Sequence, residues 1–143
     1  MAFHQHWAES WFKQAKFDLE AARLSFNHGY YEWTSFQSQQ AAEKSIKGLL
    51  VLLDGYAPRG HHLGGLLGLA DHLDSRVRSL KVSTAAIEAA TFVSRYPFAI
   101  PQERVSPHEF IQKEDAEECL VEATEICSKM QHFITSLMRP SLP

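Results

Sequence analysis

Four polar residues at helical spacing, Gln37, Gln40, Lys44 and Lys47, lie in and just before the stretch SQQAAEKSIKGLL, with Trp33, Phe36 and Val51 on the same side. A solvated helix face seldom carries so much apolar area. A tryptophan beside amide and ammonium groups suits a site that stacks a ring and holds an anion. The pattern predicts a second buried surface, either a self-association interface or a ligand groove. In the plainer alternative the aromatics cap one end of a bundle and the lysines sit in water.

Other catalytic chemistry is poorly supplied. Among the eight histidines, His61-His62 with His72, or His4 with His6, are the nearest to a metal cluster, but neither has zinc-site spacing, so no metal is expected. The run GHHLGGLLG lacks the spacing and following lysine of a phosphate loop. No nucleophile sits in a recognisable turn for a Ser/His/Asp triad.

The elements that must position these residues are helical. Phe12, Ala15, Leu19, Ala22 and Phe26 repeat at three and four residues and predict a helix over 6–27, ended by Gly29. A second helix is predicted over 31–54, with a stripe of small residues (Thr34, Ser38, Ala41, Ser45, Gly48) that lets another backbone come close, flanked by Ala42, Ile46, Leu49 and Leu53. Gly55 and Pro58 break it. Shorter helices are predicted over 63–74 and 83–94, the latter capped by Ser83. The proline-rich RYPFAIPQERVSP must be mostly irregular. A last helix over 112–138 follows the heptad line Ala116, Cys119, Ala123, Ile126, Met130, Phe133 and Leu137. No strand pattern competes. The expected fold is an all-α, antiparallel up-and-down bundle of four to five helices, one domain over residues 1–143.

Composition bounds the partners. With 45% hydrophobic and 22% charged residues and a net charge of −3, the chain is ordinary for a globular protein and lacks a general nucleic-acid or membrane charge. Cys119 and Cys127 are eight residues apart on one helix, roughly 12 Å, too far to pair with each other. Free thiols and the lack of a signal-type apolar run point to a cytoplasmic protein. A second apolar stripe on the first helix, Phe17, Ala21 and Leu24, points away from the core line and predicts a dimer interface.

Several pieces in order resemble a known family. They are Asp18-Leu19 with Ala22, Gly29 and Tyr31; Gln40-Ala41-Ala42-Glu43-Lys44 with Lys47; His62 with Leu66-Leu67; and Arg95-Tyr96-Pro97. The chain from about Trp7 to Leu137 resembles the HEPN domain, the higher eukaryote and prokaryote nucleotide-binding domain. The resemblance implies a helical bundle that usually dimerises. It also implies a minimal nucleotidyltransferase encoded nearby as the protein partner, and kinship with ribonuclease toxins and their inert relatives.

Within that resemblance, ribonuclease members carry Arg, four to six residues, then His, commonly followed by x-Tyr. RLSFNHGY matches with Arg23, His28 and Tyr30, but at the end of the first helix, where a cationic pair also complements the dipole. In the usual region Arg95 has no histidine within seven residues, and only three residues separate Arg104 from His108. A metal-independent ribonuclease needs a group to move the 2′-hydroxyl proton and a cation for the charge at phosphorus. No pair is well placed for both. The nucleotide-binding reading needs less: Lys44, Lys47, Arg59 and Arg95 for phosphate, Trp33 or Tyr96 for stacking, with Gln40 and His62 alongside. The chain therefore reads as a module without cofactor or chemistry of its own, binding a nucleotide such as ATP or GTP, or a nucleotidyltransferase partner. The alternative is a ribonuclease toxin using Arg23/His28 or Arg104/His108, with RNA as partner.

Overall fold

Two long amphipathic segments nucleate the architecture. The computed structural model describes residues 2–60, 62–100 and 105–138; His61 and Arg104 lie outside them. Helix α1 (Ala2–Asn27) starts earlier than the periodicity predicts and closes at Gly29, whose φ of 80° is the left-handed conformation expected there. Helix α2 (Tyr31–Asp54) runs back against α1 and ends at Gly55, with φ 73° and its N–H on the Val51 carbonyl.

Smaller elements complete the order. Helix α3 (Leu63–Leu73) is capped by His62, whose Nδ1 accepts from the Gly65 N–H at 3.0 Å. A 3-10 turn over Ser75–Leu80 follows, capped by Asp74, whose carboxylate accepts from the Arg76 N–H and pairs with its guanidinium. Helix α4 (Ala85–Thr91) is shorter at both ends than predicted. Ser83 is not its N-cap as predicted: Thr84 holds that position without a side-chain bond, and Glu122, on another helix, accepts from Ser83 Oγ and from the Ala86 and Ile87 N–H groups. Then come a 3-10 turn over Pro97–Ala99, the four-residue α5 (Pro107–Phe110) and α6 (Lys113–Met138). Among the described residues there is no strand, and the protein is an all-α helical bundle. None of those helices is long and apolar enough to cross a membrane.

Helix α2 is the centre. Helices α1, α3, α4 and α6 all pack on it, so from Thr34 to Val51 no residue is exposed and all but Phe36, Gln37, Gln40 and Lys44 are buried. The small stripe behaves as its composition requires. Ser45 Oγ donates to Cys127 Sγ at 3.1 Å on α6, and Gly48 lets the Phe12 ring of α1 lie on the backbone. On α6 the heptad residues from Ala116 to Phe133 are buried, with Leu137 half-buried beside them.

The polar row is where structure and sequence part. Its composition predicts an outward face, toward a partner, a ligand or water; it faces α1 of the same chain. Lys47 is 6% exposed, pairs with Glu43 at 3.3 Å and lies over the Trp11 ring. Lys44 meets Asp18 at 2.5 Å, and Gln37 meets Ser25 at 2.7 Å. The second buried surface exists, but α1 covers it. A central helix has no solvated face, so its charges survive burial only by pairing.

Gly48→Ala tests the α1–α2 seam. In an open helix this change stabilises by about 1 kcal/mol. Here the new Cβ would lie 2.8 Å from Phe12 Cζ, and overpacking costs about 1–3 kcal/mol. Urea unfolding should show a net loss on the order of 1 kcal/mol. A gain would mean that the Phe12 ring yields freely.

Candidate functional site

The first two turns of α2 form one wall of a groove. Glu32, Trp33 and Phe36 stand there, opposite Ser94, Arg95 and Tyr96 from the loop after α4, with Ser106, Pro107 and His108 closing the end. The groove encloses about 390 Å³, within the range of small-ligand sites. Half of Trp33 is exposed, and its ring meets Phe36 edge-on at 5.9 Å.

Local sequence explains the far wall. Ser106-Pro107-His108-Glu109 is a capping box: Ser106 Oγ accepts from the Glu109 N–H while the Glu109 carboxylate accepts from the Ser106 N–H, and Pro107 supplies a preset φ at the first helical position. These bonds to Ser106 hold the Glu109 carboxyl below its usual range. The box fixes a helix of only four residues and so fixes His108. Its Nδ1 lies 2.9 Å from both Glu32 oxygens. A carboxylate accepts only, so Nδ1 carries the proton and Nε2 is left for the groove. Glu32 is 8% exposed, and the Tyr30 ring lies 5.6 Å from the imidazole.

Arg95 is held differently. Its guanidinium carbon lies 5.2 Å from the Phe36 ring centre and 5.3 Å from that of Tyr96. Cation–π contact positions the planar group without using its N–H donors. Tyr96 continues into an exposed aromatic cluster, stacked on Phe98 at 5.4 Å with Phe92 against both.

Of the residues read from sequence, the groove gathers Trp33, Arg95, Tyr96 and His108. Lys44, Lys47 and Gln40 lie elsewhere on α2; the lysines pair with carboxylates, and Gln40 donates to Gln39. His62 caps α3 and reaches Glu88 at 3.3 Å, and Arg59 is exposed in the loop after α2. Arg23 lines a separate groove between α1 and α6, whereas His28 Nδ1 bonds the Leu24 carbonyl at its own helix end. Among the described residues no three His, Cys, Asp or Glu side chains cluster as metal ligands. Burial pushes the Cys119 thiol up to about 11 and raises Cys127 in the same direction, so neither is a ready nucleophile.

The HEPN domain model matches residues 8–133. The chain belongs to the HEPN domain family. Among solved structures, TT1696 from Thermus thermophilus is 32% identical with a TM-score of 0.69, covering 87% of this chain and 96% of that one. ST0689, described as an archaeal HEPN homologue, is 33% identical with a TM-score of 0.59, over 89% and 97% of the two chains. A Methanocaldococcus jannaschii protein named "Putative toxin MJ1304" is 29% identical across 92% of this chain and 91% of its own.

In this HEPN chain one groove residue, Glu32, and the capping box that holds another escaped sequence reading, for different reasons. Glu32 pairs with a residue 76 positions away, a relation no local pattern encodes. The capping box around His108 was legible as Ser-x-x-Glu, but three nearby prolines drew the segment into the irregular class.

Proposed function

We propose that this HEPN chain is the helical module of a toxin–antitoxin-like pair and that it binds a nucleotide in the Trp33–Arg95–His108 groove. The observation that carries the reading is Arg95, a guanidinium laid against two rings with its donors free, beside a half-exposed tryptophan. That arrangement supplies a phosphate contact and a stacking face together. The name of the M. jannaschii relative supports the toxin-type setting. A minimal nucleotidyltransferase is the protein partner that the family resemblance suggests, and the activity of the pair lies there.

Thermal unfolding with ATP, GTP and AMP tests the reading. A ligand at about a hundred times its dissociation constant adds roughly 2.7 kcal/mol, several degrees for a domain of this size. Arg95→Ala should abolish that shift. Lys44→Ala should lower the starting midpoint yet keep it, because Lys44 serves Asp18. No shift at millimolar nucleotide would sink the proposal.

One observation favours a second reading, the ribonuclease. His108 has a carboxylate behind Nδ1, so Nε2 is positioned to take a 2′-hydroxyl proton as that oxygen attacks phosphorus and the 5′-oxygen leaves. Incubation with RNA should then give 2′,3′-cyclic phosphate ends, absent with His108→Ala. Intact RNA after prolonged incubation would dismiss this reading.

The dimer is part of the proposal. Phe17 and Leu24 are 54% and 61% exposed on one side of α1, and this apolar strip supports self-association. Sedimentation at micromolar concentration should give twice the 16.2 kDa chain mass, and Leu24→Glu should return the monomer. A wild-type monomer would remove this interface.

A further inference from the structure

The described residues of the groove include few groups that can carry positive charge. Among the described residues, the Arg95 side chain makes no hydrogen bond or ion pair and touches only the faces of Phe36 and Tyr96. His108 offers one nitrogen, Nε2, because Nδ1 serves Glu32. Glu32 itself sets one negative charge against the imidazole. Lys44 and Lys47, the cations a longer phosphate chain would need, are engaged by Asp18 and Glu43, and neither they nor Arg59 line the groove.

The geometry points to a terminal nucleoside monophosphate as the ligand: one base or ribose against Trp33, one phosphate between Arg95 and His108. A triphosphate brings charge that one guanidinium, one imidazole and a carboxylate do not match, and desolvating unmatched phosphate opposes binding. A single phosphate accepts the Arg95 fork on two oxygens and sits against Nε2 of His108, which donates to it when the ring takes its second proton, with Glu32 orienting the ring behind it. Glu32 is thus a positioning residue. The groove volume of about 390 Å³ suits one nucleotide at a time. The same chemistry is presented by a free mononucleotide and by a 5′-phosphorylated RNA end. This inference rests on the nucleotide reading of the groove.

The test is calorimetric titration of the full chain at one ionic strength and without divalent metal. The probes are AMP, ATP, adenosine, and one oligoribonucleotide with either a 5′-phosphate or a 5′-hydroxyl. AMP should bind at least as tightly as ATP. The phosphorylated oligonucleotide should outbind its hydroxyl form if the ligand is an RNA end; binding of AMP alone assigns the free mononucleotide, and either result supports the inference. Arg95→Ala should weaken AMP tenfold or more, and Glu32→Gln severalfold, while adenosine is unchanged in both. ATP binding tenfold tighter than AMP would overturn the inference and leave the nucleotide reading standing. So would adenosine matching AMP. Silence from every probe would overturn both.

Discussion

Everything in this bundle depends on α2 having no solvated face along its middle. Four helices pack on it, and the small residues from Thr34 to Gly48 bring their backbones close. The close approach has an electrostatic consequence. Lys47 and Glu43 are carried inside together, and Lys44 is drawn onto Asp18 of α1. A buried charge without its partner would cost several kcal/mol. The polar row is therefore a condition of packing: α1 can cover Lys44 because Asp18 is there to meet it, and Lys47 because Glu43 goes in beside it.

The groove is the complement of that burial. At the N-terminal end of α2 one large side chain, Trp33, stands half exposed, and there the central helix borders a groove. Trp33 and Phe36 stand at that end, and Glu32 reaches across from it to a separate piece of chain. The opposite wall comes from the loop after α4 and the capped turn at α5. Neither belongs to a long helix, yet both are pinned. Ser94 is buried with its hydroxyl on the Thr91 carbonyl, and the Ser106–Glu109 box fixes the turn that carries His108. Rigid placement of a loop residue by local hydrogen bonds is what lets a small site keep its geometry without a large core of its own.

The long helices were legible because burial repeats along the chain with the period of the helix. Phe12, Ala15, Leu19 and Ala22 on α1, and the heptad line on α6, name the core almost residue by residue. The same periodicity misled at α2. A helical wheel assumes one inside and one outside, and a helix wrapped on all sides breaks that assumption, so Lys44 and Lys47 read as surface. Trp33, Arg95 and Tyr96 were found because their side-chain chemistry marks them singly; whether they meet depends on tertiary placement that no spacing contains. Glu32 was invisible on both counts. It is one acidic residue in a helix's first turn, where the dipole alone accounts for it.

Arg95 and His108 are held by different physics, and this bears on what the fold can change. Arg95 is oriented by ring faces, a contact worth about 0.5–1 kcal/mol at an exposed site, which leaves its hydrogen-bonding capacity whole. His108 is oriented by hydrogen bonds to a buried carboxylate, which takes up one nitrogen and fixes the direction of the other. Replacing Arg95 removes two cation–π contacts and little stability. Replacing His108 leaves Glu32 buried and unpaired, which disturbs the end of α2 itself. Binding chemistry at the loop can therefore vary freely on this bundle, whereas the imidazole is tied to the packing of the central helix.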